Sequence, residues 1–254
     1  MDQNPSDRVE KRSLGPLPAA ALVIGGGIVG IVVISIIGLI LRLLFGLGLV
    51  GLVSPFYEEP LKALGLIALA MFFPAVFKSK KIGAALGLIA GALFGLFEIF
   101  DFSILYNSLV DAGLLSRAAV NVLLAARAFT SLPMHLIAST IFGLGIACAA
   151  MSLARPGLRQ IFSGNALSLM ALSVGFHWVY NLFNIIPALL LKSDAIGIIL
   201  GFIVMLAGLY MAYRVYRYIP SMLDRMPHFG AKDLFMRAMG WSKKGGMPMP
   251  ERRP

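Results

Sequence analysis

Residues 82–106, IGAALGLIAGALFGLFEIFDFSILY, decide the fold. Crossing roughly 30 Å of hydrocarbon takes a helix of about 20 apolar residues, and this stretch suffices. Gly83, Gly87, Gly91 and Gly95 recur every four residues along it. Such a stripe of small residues lets a second helix approach closely. Glu98 follows Gly91 by seven residues, close to two helical turns, so it shares the packed face and points into protein rather than lipid. Asp101, one turn further on, neighbours Glu98, and two close carboxylates tend to share a proton or a cation. Alternatively, Asp101 is an interfacial acid near the helix end.

Reading outward, further apolar runs of spanning length lie near 19–41, 58–77, 131–153, 163–191 and 194–216, which makes six spans with 82–106. The chain is 59% hydrophobic and only 13% charged, with a mean hydropathy of +0.86. Soluble domains carry about 25% charged residues, so the composition excludes a soluble or disordered protein. Cys148 is the only cysteine, which excludes an intramolecular disulfide scaffold. The expected fold class is therefore all-α, a polytopic membrane helix bundle of about six transmembrane helices. Two stretches are open: 42–57, glycine-rich and ending in Ser54-Pro55, reads as re-entrant or interfacial, and 107–130, with Arg117 and Arg127, has room for a further partial helix.

A net charge of +10 would suggest nucleic acid in a soluble protein. Here the basic residues sit in the gaps between apolar runs, as membrane topology requires, so nucleic acid is not an expected partner. With six spans, 17 of the 22 Lys and Arg residues fall on the face that carries both termini. Cytoplasmic loops are the ones enriched in Lys and Arg, so both termini are expected in the cytoplasm. The organisation is then a cytoplasmic segment at 1–18, a transmembrane domain at 19–217 and a basic tail at 218–254. The first span reads as an uncleaved anchor. The tail either rests on anionic headgroups or is solvated. The chain is expected to be a multi-pass protein of the plasma membrane, with the lipid bilayer as its surroundings and its oligomeric state open.

Of 12 acidic residues, Glu58, Glu59, Glu98 and Asp101 fall inside or at the edge of apolar spans, as do His135 and His177 among three histidines. Ionisable groups there are expensive and usually face a bundle interior or a hydrated cavity. Glu58-Glu59-Pro60 opens the second expected span, with Lys62 on the same helical face; acids and proline also suit a first helical turn, but two adjacent acids exceed what a cap needs. His135 and Ser139, and likewise His177 and Asn181, lie four apart and project from common faces. Ser139 pairs with Gly143 as a packing site. Counted at 1.5 Å per residue, Glu59, Glu98, His135, His177 and Asn181 lie roughly 21–28 Å from the cytoplasmic ends of their spans, in the outer half.

Peptide hydrolysis needs an activated water, a proton donor for the leaving amine and stabilisation of the oxyanion. Histidines and a carboxylate can hold Zn²⁺ with an open fourth position while another glutamate acts as general base. A metal-free route is equally open, in which Glu58 or Glu59 activates water and His177 with Asn181 hydrogen-bonds the oxyanion.

The set Glu58-Glu59-x-x-Lys62, Phe94-x-x-x-Glu98, His135, and His177 with Asn181 resembles the PrsW-type intramembrane proteases, relatives of the CAAX prenyl proteases and of the APH-1 subunit of gamma-secretase. The likeness covers roughly residues 55–185. Lys62 and Glu98 favour this branch over the CAAX proteases, which typically place Arg one residue later and His in the second motif. Ile99 departs from the Asn that the family often has there. The resemblance implies a membrane metalloprotease acting on a transmembrane protein such as an anti-sigma factor. It also implies that Glu58, Glu59, Glu98, His135 and His177 form the catalytic set with Asn181 in support, and that Glu98, His135 and His177 hold the metal, zinc being the candidate. Two other classes fit the same buried groups: a non-catalytic scaffold like APH-1, and a proton- or cation-coupled transporter.

Overall fold

The computed structural model describes residues 14–152, 157–162, 164–190 and 194–223. Most of the expected 1–18 segment and the tail beyond Leu223 lie outside the described residues. Among the described residues every regular element is helical: α1 (Pro16–Lys62), α2 (Leu64–Phe72), α3 (Lys80–Asp111), α4 (Arg117–Ser152), α5 (Leu158–Ile161), α6 (Gly164–Leu190) and α7 (Asp194–Leu223), with a short 3-10 turn at Pro74–Val76. Pro16 begins α1, where its missing N–H costs no helical bond.

α1 is two helices joined at Gly46, whose φ of 77° and ψ of 169° fall in a region essentially confined to glycine. The chain reverses there. Gly26 packs on Gly65, Gly30 on the carbonyl of Leu61, and Gly38 lies near the Tyr57 hydroxyl, pairs whose numbering is nearly symmetric about Gly46. The stretch 42–57 is therefore not a separate re-entrant segment. It is the tip of a helical hairpin, ending the first span and beginning the second.

Among the described residues, five helices are long and apolar enough to cross a membrane: Pro16–Gly46, Lys80–Asp111, Arg117–Met151, Ala166–Ile186 and Ala195–Arg217. The expected span at 58–77 is corrected. That pass begins just after Gly46, carries Pro55 and Pro60 inside its helix, breaks at Ala63 and resumes as α2. Each proline removes an i→i−4 hydrogen bond and crowds the preceding turn, so an unbroken helix is disfavoured here. The stretch 107–130 holds no extra helix, only the end of α3, a turn containing Gly113 at φ 73°, and the start of α4.

α3 and α4 run antiparallel with their backbones in contact. Gly83 meets Gly143, Gly87 meets Ser139, and a Cβ at Gly91 would stand 2.5 Å from the His135 carbonyl oxygen. α4 is the central helix, 83% buried along its apolar window against 17% for the first arm of α1, which the rest of the chain leaves largely uncovered. One apolar core joins Val23, Leu66, Leu69, Phe142 and Ile146 at the end bearing the termini. A second joins Ile141, Leu144, Leu169, Phe176 and Met205 between α4, α6 and α7. Successive passes alternate in direction, which leaves both described termini at one end and Gly46 at the other.

Candidate active site

Four helices bring their ionisable groups together between these cores. Glu58, Glu59 and Lys62 come from the second arm of α1, Glu98 from α3, His135 from α4 and His177 from α6. The proximity follows from the packing just described. Gly91 lets the His135 turn of α4 lie against α3, and this places Glu98, two turns along α3, beside the same imidazole.

Glu59 is 1% exposed, and its carboxylate accepts hydrogen bonds from Lys62 Nζ and His177 Nδ1, both at 2.7 Å, while the Ser173 hydroxyl, 3.3 Å away, donates to the Ala138 carbonyl at 2.7 Å. A buried charge without partners would cost several kcal/mol, and these partners satisfy it. Glu58 Oε2 lies 3.6 Å from Lys62 Nζ and 3.8 Å from His177 Nε2. Glu98 accepts from His135 Nε2 at 3.0 Å and from the Ser131 hydroxyl, and its other oxygen lies 3.6 Å from Arg127. The His135 and His177 rings meet edge to face, 5.0 Å between centroids.

A cavity of about 660 Å³ leads to this cluster from the Gly46 end. Glu58 and Glu98 line it, together with Arg127, Ser131 and Asn181. Glu59 is behind this wall. The cluster itself stands close to mid-length of its helices, with His177 roughly 20 Å from either end of α6. Contrary to expectation, Glu58 and Glu59 do not open a span but follow Gly46 by a dozen residues, and so sit within the pass.

Glu58, Glu59, Glu98, His135 and His177 are thus brought together. Asn181 lines the cavity, but its amide donates to the Gly51 carbonyl at 2.8 Å, tying α6 to α1 rather than reaching the imidazoles. Asp101 does not pair with Glu98; it faces Arg42 at 3.9 Å. Ser139 is buried against Gly87, a packing position. Sequence reasoning passed over three contributors. Ser131 precedes His135, and Ser173 precedes His177, by one helical turn on the same face, the spacing that singled out Ser139 and Asn181 downstream. Arg127, assigned to the ambiguous 107–130 stretch, stacks on Phe102 at 3.1 Å and donates to the Tyr106 hydroxyl at 3.0 Å, which aims it at Glu98.

Glu58, His135 and His177 each offer a ligand atom within 4.8 Å of the others. The carboxylate completing this group belongs to Glu58, not to Glu98 as expected, because Glu58 shares the His177 side of the cluster whereas Glu98 is engaged by His135, Ser131 and Arg127. Two imidazoles and one carboxylate are a ligand set of zinc hydrolases, and the Glu59 carboxylate on His177 Nδ1 is the outer support that metal-binding histidines usually have. The donor chemistry fits a divalent metal.

Neither a curated protein nor a solved structure matches the chain. Residues 16–210 match the family described as PrsW family intramembrane metalloprotease. That match spans all the helices that build the cluster, so the chain belongs to the PrsW family of intramembrane metalloproteases.

Proposed function

We propose that this multi-pass membrane protein hydrolyses a peptide bond of a transmembrane protein substrate at the Glu58, His135 and His177 cluster, with zinc as its metal. The observation that carries the reading is the convergence of these three donors, within 4.8 Å of one another, beside a cavity that Glu58 lines, in a bundle of membrane-spanning helices. A metal held there supplies Lewis-acid polarisation of the scissile carbonyl and of the attacking water.

The protein groups divide the remaining work. Glu98 is open to the cavity and acts as general base and then as proton donor to the leaving amine, a role worth about 10²–10⁴-fold in rate. Ser131 and Arg127 fix its carboxylate, and His135 links it to the metal ligands. Glu59 is buried and holds His177 in the tautomer whose Nε2 faces Glu58. The positive-inside rule puts the cavity mouth on the extracytoplasmic side, and the plasma membrane is the expected location.

The test is cleavage of a single-span reporter by the full chain in liposomes. Glu58→Gln and His177→Ala are expected to abolish cleavage while the protein still elutes as a folded species. Full cleavage by either variant overturns the proposal.

A further inference from the structure

The two imidazoles of the cluster are not equivalent. Lys62 is buried, and its ammonium lies 2.7 Å from Glu59 Oε1, 3.6 Å from Glu58 Oε2 and 2.8 Å from His135 Nδ1, over the Phe94 ring. An ammonium has hydrogens to give and no lone pair, so His135 Nδ1 must accept. The hydrogen of the neutral ring then sits on Nε2, where the Glu98 carboxylate receives it at 3.0 Å. Both nitrogens of His135 are engaged. In His177 the order is opposite: Glu59 only accepts, so Nδ1 carries the hydrogen and Nε2 presents a bare lone pair 3.8 Å from Glu58.

His177 is therefore ready to bind a metal, and His135 is not. A metal on His135 Nδ1 meets the lysine directly. A metal on Nε2 moves the ring hydrogen to Nδ1, where it confronts the hydrogens of the ammonium. On either nitrogen, His135 becomes a ligand only once Lys62 has left it. The lysine also places a positive charge within 4 Å of the Glu58 carboxylate, where it opposes a second cation.

We propose that Lys62 is a resident cation that holds His135 away from metal, so that uptake requires its ammonium to withdraw from His135 and Lys62 sets the metal affinity of the site. This rests on the metal-binding role given above to Glu58, His135 and His177. The bond from the ammonium to Glu59, 2.7 Å long, does not depend on His135 and gives the withdrawn ammonium a partner to stay with.

The test uses the purified full chain in detergent micelles, titrated with Zn²⁺ alone against a chromophoric chelator. Two comparisons isolate the lysine: Lys62→Met against wild type, and Glu59→Gln/Lys62→Met against Glu59→Gln, the second leaving no buried carboxylate stranded. Removal of the ammonium is expected to tighten Zn²⁺ binding at least tenfold in each folded pair. Unchanged or weaker binding, with one zinc still held by wild type, overturns the role of Lys62 and leaves the metal site standing. No zinc in any form overturns both. Histidine ¹⁵N spectra of metal-free wild type provide a reading that no variant can spoil. Hydrogen on Nε2 of His135 and on Nδ1 of His177 is expected, and hydrogen on Nδ1 of His135 refutes the proposal.

Discussion

Replacing Gly91 by alanine adds one methyl group at the place where α3 and α4 touch. The new Cβ would stand 2.5 Å from the His135 carbonyl oxygen, about 0.9 Å inside the 3.4 Å at which ordinary van der Waals contact begins. That oxygen belongs to the backbone of the most buried helix and cannot swing aside, so α3 must move away. A displacement of about 0.9 Å stretches the 3.0 Å bond between Glu98 and His135 past the 3.5 Å at which such a bond is lost. Overpacking of this kind costs about 1–3 kcal/mol of stability, and a misplacement of about 1 Å costs on the order of 10² in rate. Thermal unfolding in micelles and reporter cleavage in liposomes are the two assays. Gly175→Ala is the control, because nothing lies within 4 Å of a Cβ there. Wild-type cleavage by Gly91→Ala would refute the claim that backbone contact between α3 and α4 positions Glu98.

Adjacent acids separate in their effects. Glu59→Gln breaks a buried pair with Lys62 and is expected to destabilise the protein by about 3–5 kcal/mol, seen as a lower unfolding temperature. Glu58→Gln, at the cavity wall, is expected to leave that temperature nearly unchanged and to weaken zinc binding, so that part of the metal is lost on dialysis. Gly46→Ala forces a Cβ into a glycine-only conformation at about 1–3 kcal/mol, lowering thermal stability while reporter cleavage persists near wild type at a permissive temperature. Ser131→Ala removes a hydroxyl donor from Glu98 and is expected to reduce kcat by about tenfold or more with KM little changed, measured on the single-span reporter.

The glycine stripe of residues 83–95 was readable because a four-residue period of small residues has one structural meaning in an apolar helix, and the direction of Glu98 followed from it. His135 and His177 stood out because imidazoles are scarce and costly in such spans. The Glu58-Glu59-Pro60 segment misled for a physical reason. Acids and proline favour a first helical turn, yet here they sit mid-pass, where Lys62 neutralises Glu59, His177 hydrogen-bonds it and a hairpin partner supports the proline-weakened helix. Gly46 could not be told from its neighbours Gly48 and Gly51 without the packing of Gly26, Gly30 and Gly38 across the turn. The pairing of Asp101 with Arg42, and of Arg127 with Glu98, depends on which helices become neighbours, which no local spacing encodes.

X-ray absorption spectroscopy of the zinc-loaded full chain addresses the central claim most directly. The account predicts a single zinc whose shell contains two imidazoles and one carboxylate, with one imidazole lost in His177→Ala and the carboxylate lost in Glu58→Gln. A zinc shell without two imidazoles, or one that neither substitution alters, would contradict it.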